Sequence, residues 1–185
     1  MKHWIKIFQK HRKQIELYGI LSLIAILLLF LFLDIILATI VVICFIGANI
    51  LLRMYRRILP GVPIEFEVVI MGSIVCTIAF NIWAGLIVAI FGSLLAEFLN
   101  QFISPHSLVN MGIYFLIPFI ALFLDASNIQ TIGFMIAIIA NIIIFIIFMF
   151  MGYDLVKNFA FSITNVFWNY LMFKYVAGIL LVMLV

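Results

Sequence analysis

Charge is what this chain has least of. Of its 185 residues only 9% are Asp, Glu, Lys or Arg, while 69% are hydrophobic and the mean hydropathy is +1.42. Soluble domains carry roughly 25% charged and about 45–50% apolar residues, so a water-soluble globular domain is excluded and an integral membrane protein is indicated. Cysteine is scarce as well. Cys44 and Cys76 each lie in an apolar run with no His or second Cys beside them, which reads as two small buried hydrophobes and leaves a disulfide or metal site without support. Enzyme signatures are missing: there is no H-E-x-x-H, G-x-S-x-G, Walker-type glycine loop, D-x-x-D pair or Cys/His cluster. Neither an enzymatic activity nor a cofactor is therefore expected. The slight basic excess, 10 Lys and Arg against 7 Asp and Glu, is confined to particular stretches and speaks to membrane orientation rather than to nucleic acid.

What is present is a series of apolar runs. The opening "MKHWIKIFQKHRKQIELYG" is basic like a signal peptide, but the run after it exceeds the roughly 7–15 residues of a cleavable segment and no A-x-A-like site follows. Residues 1–16 are read as a retained cytoplasmic segment, in which Trp4, Ile5, Ile7 and Phe8 among Lys2, Lys6 and Lys10 form a short interfacial helix. Residues 17–185 then form one all-α, polytopic transmembrane helix bundle of six to seven spans. A span needs about 20 apolar residues, which gives Leu17–Leu33, Ile35–Leu52, Ile64–Phe80, Trp83–Leu99, Ser107–Leu124, Thr131–Met151 and Phe159–Val185. Leu17 to Leu52 as one helix would measure roughly 54 Å, too long for a core of about 30 Å even when tilted. A hairpin turning at Asp34 is preferred, with a single crossing as the alternative.

Short turns at Asn81–Ile82 and Asp125–Asn128 close further hairpins and fix which ends share a face. Call X the face where Ile64 enters. Glu65, Glu67, Glu97, Asn100, His106, Asn110, Asp154, Lys157 and Asn158 lie toward X, whereas the opposite face Y carries Asn81, Asp125, Ser127, Asn128 and Gln130. With the hairpin at Asp34, every one of the 10 basic residues except Lys174 falls at X, and the positive-inside rule makes X cytoplasmic. Arg53, Arg56 and Arg57 are the orientation charges in this reading.

Several side-chain patterns stand out against this background. Gly85, Ala89, Gly92 and Ala96 line one side of the fourth span, either for close packing within the chain or for docking of a partner. Ser104 and Pro105 start the fifth helix as N-cap and first residue. His106, Asn110 and Tyr114 follow at i, i+4 and i+8, a polar stripe that lines a solute pocket or makes an interhelical hydrogen-bond seam. Asn165 and Asn169, beside Trp168 and Tyr170, repeat that choice between ligand site and clamp. Lys174 lies well inside the last span and needs a carboxylate or water-filled neighbour, with Asp125 nearest in depth. Glu65 and Glu67 follow Pro63, where a helix N-terminus favours carboxylates; at i, i+2 on a helix they diverge. Glu97 closes the hairpin that Glu65 opens, so the two carboxylates approach each other at X and recruit a cation such as Arg56 or Arg57.

The block "GVPIEFEVVIMGSIVCTIAFNIWAGLIVAIFGSLLAEFLNQFISPHSLVNMGIYFLIPFIALF" has a Pro-led helix, a short turn before "AG", a Gly/Ala-faced return helix and a Pro-initiated next helix. It resembles the substrate-binding S components of energy-coupling-factor vitamin transporters. Together with "SITNVFWNYLMFKYV" it also resembles the rod-shape-determining MreD family. The first resemblance implies a six-helix subunit that captures a vitamin-like solute and docks on a transmembrane coupling protein with ABC-type ATPases, with X outside. Glu65, Glu97, His106, Asn110, Tyr114, Asn165 and Asn169 are the expected lining. The second implies a non-enzymatic scaffold in the inner membrane that organises other membrane proteins. Apart from the lipid bilayer, these are the partners expected.

Overall fold

The computed structural model describes Tyr18, residues 21–23, 32–59, 62–100 and 105–184, with His106 described in its backbone only. The basic segment 1–16, most of the expected span Leu17–Leu33, the Pro60–Gly61 break and the Ser104 cap lie outside the described residues. By internal contacts the chain divides into Met1–Leu37 and Ala38–Val185. In the first unit Tyr18 and residues 21–23 are helical, Phe32 is in a turn, and a helix begins at Leu33 with Asp34 in its first turn.

The second unit is a bundle of helices, and no strand occurs among the described residues. Its elements are the part of α1 (Leu33–Arg53) from Ala38 onward, α2 Tyr55–Ile58, α3 Val69–Ala79, α4 Ile82–Asn100, α5 Pro105–Ala121, a 3₁₀ turn Ala126–Asn128, α6 Ile129–Phe150, α7 Leu155–Leu171, a π-helical stretch Met172–Ala177 and α8 Gly178–Leu184. Four stretches are long and apolar enough to cross a membrane: Leu33–Ile58, Ile82–Asn100, Ala126–Phe150 and Leu155–Leu184. Val69–Ala79 and Ser107–Ala121 are shorter apolar helices.

The polar turns are built by their own side chains. Asn81 Oδ1 accepts from the Ala84 amide at 3.0 Å, Asp125 from Ser127 at 3.1 Å and Asp154 from Lys157 at 2.8 Å. Each such bond satisfies a backbone N–H that the start of a helix leaves without an intrahelical partner. Gly152, at φ 79°, makes the turn between α6 and α7, a conformation that costs a residue without a Cβ nothing.

Helix α3 is the centre of the bundle. Val69 through Thr77 are all buried, as expected of a helix that is apolar on every side. It packs mainly on α4 and α5, and the approach to α4 depends on small residues. A Cβ on Gly85 would run into the Thr77 hydroxyl and stand 2.7 Å from the Ser73 carbonyl oxygen. Ala89 and Ala96 have no exposed surface, and Gly85 and Gly92 are buried with them. The small-residue face is therefore spent on packing within the chain, and it offers no surface to a docking partner. Helix α1 meets the bundle along one stripe, Val42, Phe45, Asn49 and Arg53.

The expected helical span Ile64–Phe80 needs correction. Helix begins only at Val69, and residues 62–68 have no regular structure. Pro63 contributes no amide hydrogen, and "IEFEV" alternates apolar and acidic residues with the period of extended backbone, in which i and i+2 share a face. Glu65 and Glu67 accordingly both point inward with no exposed surface, instead of diverging as they would on a helix.

Candidate functional site

Four ionised side chains from three elements and the segment before α3 meet at the X end of the bundle. The Arg53 guanidinium, from the last turn of α1, contacts a carboxylate oxygen of Glu97 and lies 2.5 Å from Glu65 Oε1. Arg56, on α2, bonds Glu65 and stands 3.1 Å from Glu97 Oε1. Arg53, Glu65 and Glu97 are buried, while Arg56 keeps 20% of its side-chain surface. Two cations and two anions in alternation are neutral as a set, which is what permits such groups inside an apolar bundle. Arg53 and Arg56 are thus tied up with carboxylates, and Arg57 is the arginine of that stretch left exposed.

Residues 62–68, which have no regular structure, have several of their backbone groups taken by side chains from other elements. The Glu65 amide donates to Thr164 Oγ1 at 3.1 Å, the Val68 amide to Asn49 Oδ1 at 3.2 Å, the Trp168 indole N–H to the Glu67 carbonyl at 2.9 Å, and the Tyr55 hydroxyl to the Ile64 carbonyl. Asn49 also donates to the Gly92 carbonyl at 2.8 Å, joining the segment to α4. Phe66 is clasped edge-on between Tyr55 and Trp168, with ring centroids 5.5 and 5.2 Å away. Non-helical backbone at membrane depth needs such satisfaction, because the hydrocarbon region offers no water.

A relay of amides runs from α6 through α7 to Glu67. Asn141 Nδ2 donates to the Ala137 carbonyl at 2.8 Å, and Asn165 Nδ2 donates to Asn141 Oδ1 at 3.0 Å. Asn169 Nδ2 in turn donates to Asn165 Oδ1 at 2.8 Å and reaches Glu67 Oε1 at 3.5 Å. The other Glu67 oxygen accepts from the Val69 amide at 3.2 Å, so this carboxylate caps the start of α3. Glu67 has no ion-pair partner among the described residues.

Tyr114 lies close enough to Glu67, Arg53, Glu65 and Asn165 to interact with all four. Among the described residues its buried hydroxyl nevertheless completes no hydrogen bond of good geometry, and the same holds for Asn169 Oδ1 and both amide atoms of Asn110. Buried polar atoms are rarely left in this state without a water or ligand.

Of the seven expected lining residues, Glu65 and Glu97 come together through the arginines. Asn165 and Asn169 come together with Glu67, and Tyr114 faces this second group. Asn110 lies one turn from Tyr114, and the His106 side chain is outside the described residues. The expected partner of Lys174, Asp125, caps Ser127 instead. Glu67, Asn49, Asn141, Thr164 and Trp168 were not among the expected lining. The alternating "IEFEV" was the signal for Glu67; Asn49 and Asn141 were legible only as lone amides in apolar helices, where polar residues tend to face inward. Among the described residues no group of three or more His, Cys, Asp or Glu could hold a metal ion. The largely apolar groove between α6 and α7, about 480 Å³, contacts this network only through Asn141. No family model, no curated protein and no solved structure matches this chain.

Proposed function

We propose that the chain is a non-enzymatic, membrane-embedded component that binds a small polar, vitamin-like solute, as the S components it resembles do. In this reading it crosses the inner membrane six to seven times. The four long helices account for four crossings, residues 62–79 for a fifth that is half extended and half helical, and α5 for a sixth. The expected span Leu17–Leu33, most of which lies outside the described residues, would be the seventh. The extended half of the fifth crossing adds about 3.3 Å per residue and α3 about 1.5 Å, together enough for a core of roughly 30 Å.

The observation that carries the reading is a set of buried polar atoms, Tyr114 Oη, Asn169 Oδ1 and the Asn110 amide, that complete no hydrogen bond of good geometry among the described residues, beside a carboxylate on unwound backbone with no ion-pair partner among them. Counted along α5 and α7 from their X ends, Tyr114 and Asn165 lie about 15 Å in, near the bilayer midplane. Interrupted helices and unwound backbone at that depth are where membrane transporters hold their solutes. Two arginines against three carboxylates leave Glu67 without a cation of its own among the described residues, which favours a solute rich in hydrogen-bond donors or carrying a positive group.

The experiment is thiol accessibility in sealed vesicles, with Cys44 and Cys76 replaced by Ala and single cysteines at Asn110 and Asn169. Reaction of both with a small water-soluble methanethiosulfonate supports a hydrated binding hollow. Failure of both to react rules it out and leaves the second reading, a scaffold like the MreD family that organises partner membrane proteins. The closed Arg53–Glu65–Arg56–Glu97 set favours that alternative, since polar groups that pair and fill the interior leave no room for a solute.

A further inference from the structure

We infer that the face around Lys174 is a docking surface for a partner transmembrane helix that carries a carboxylate. Lys174 is exposed, and its depth makes that exposure unusual. At the Y end Gln130 packs against Gly178, and Ala126 and Ser127 line one groove with Leu181 and Val182. Lys174 stands one turn inside this level. Its ammonium turns further inward, donating to the Tyr170 hydroxyl at 2.8 Å, roughly 12 Å from the Y-side turn at 1.5 Å per residue. A cation at such a depth normally faces the bundle interior or a partner group of opposite charge. Lys174 faces outward, with no carboxylate in ion-pair range among the described residues.

The local backbone holds the ammonium in this position. Met172–Ala177 is π-helical, a wider turn that places residues five apart on one side. Tyr170 and Tyr175 therefore flank Lys174, with the ammonium 5.2 and 5.3 Å from the two ring centroids. One ammonium hydrogen goes to the Tyr170 hydroxyl, and the Tyr175 hydroxyl is in reach of a second, which leaves one for an acceptor. Beside the lysine opens the apolar α6/α7 groove of about 480 Å³, in whose wall Tyr170 and Phe134 meet edge-on at 5.3 Å. An apolar groove with one fixed cation at its Y end matches an apolar helix with one acid.

A second copy of the chain is a poor occupant. Of the 7 acidic residues, Glu65, Glu67 and Glu97 are buried, Asp125 and Asp154 lie in turns, Asp34 lies in the first turn of α1, and Glu16 belongs to the basic segment expected at X, the end opposite Lys174. The acid is accordingly assigned to a different protein. This inference rests on Lys174 alone and stands or falls separately from the solute reading.

The test co-reconstitutes the acceptor-labelled protein in phosphatidylcholine vesicles with donor-labelled polyleucine transmembrane peptides carrying Glu, Gln or Leu at the depth of Lys174. Association is read by energy transfer. The Glu peptide is expected to bind about tenfold more tightly than the Leu peptide, with Lys174→Arg retaining the preference and both Lys174→Leu and Lys174→Gln losing it. An unchanged melting temperature in detergent establishes that the variants are folded. Equal binding of the three peptides overturns the proposal, as does a preference for Glu that survives Lys174→Leu. Replacement of the Glu peptide by added phosphatidylglycerol, at equal mole fraction and only when Lys174 is present, also overturns it, by assigning the lysine to a lipid phosphate.

Discussion

Arg53 and Glu97 lie 44 residues apart in the chain and bond to each other inside the bundle, both almost fully buried. Removing one member of such a pair leaves an uncompensated charge in an apolar setting. Arg53→Ala is expected to destabilise the protein by about 3–5 kcal/mol, read as a loss of melting temperature in detergent. The double variant Arg53→Met with Glu65→Gln is expected to recover a large part of that loss, because Arg56 and Glu97 then remain as a neutral pair. A double variant no more stable than Arg53→Ala would show that the four groups do not act as a set.

Gly85 measures how closely α3 and α4 must approach. Its Cβ position is already occupied by the Thr77 hydroxyl and hemmed by the Ser73 carbonyl. Gly85→Ala is expected to cost about 1–3 kcal/mol through overpacking, and Gly85→Ala combined with Thr77→Ala measurably less. Gly47 has open space at the same test, so Gly47→Ala serves as the control and should be neutral or stabilising, since Ala also favours helix over Gly.

The Asn141–Asn165 bond joins α6 to α7 deep in the bundle. A double-mutant cycle with Ala at both positions should return a coupling of about 0.6 kcal/mol, the average for interhelical hydrogen bonds in a membrane protein. A coupling of zero would mean that the two amides are satisfied elsewhere.

Trp168 reports on the extended segment, because its indole N–H is bonded to the Glu67 carbonyl. Trp168→Phe keeps the ring contact with Phe66 and loses that bond, for an expected cost of about 1 kcal/mol. Proteolysis at residues 62–68 should become easier in the variant while cleavage at the Asp125 turn stays unchanged.

Orientation has a direct readout. Arg57 and Asp125 are exposed at opposite ends of the bundle. If the basic residues hold X in the cytoplasm, Arg57→Cys reacts with an impermeant thiol reagent from the cytoplasmic side only, and Asp125→Cys from the outside only. The reverse pattern is the one the S-component resemblance implies.

The helical architecture, with its long apolar helices, was legible in the sequence because length and hydropathy carry it. Turns at Asn81 and Asp125 were visible in their side chains, which cap the helix and the 3₁₀ turn that follow. The meeting of Glu65 with Glu97 followed from hairpin geometry alone. What stayed hidden was the non-helical stretch before α3: an apolar window of span length reads as helix unless its period is checked, and "IEFEV" has period two. Glu67 was assigned to the first turn of a helix for that reason, whereas its side chain turns toward Asn169. The placement of Asn49 and Asn141 depends on which helix faces they meet, and a single amide in an apolar run does not specify its neighbour. The π-helical turn at Lys174 has no sequence pattern of its own.

The unwound segment 62–68 also bears on how the protein is made. A helix can enter a bilayer alone because it carries its own hydrogen bonds, whereas this stretch borrows its partners from Tyr55, Asn49, Thr164 and Trp168. Thr164 and Trp168 are synthesised about a hundred residues later. On the proposed six-to-seven-span reading, the crossing formed by residues 62–79 is therefore completed only after α7 has emerged, and a nascent chain stopped before residue 164 should leave residues 62–68 at the membrane surface, open to protease.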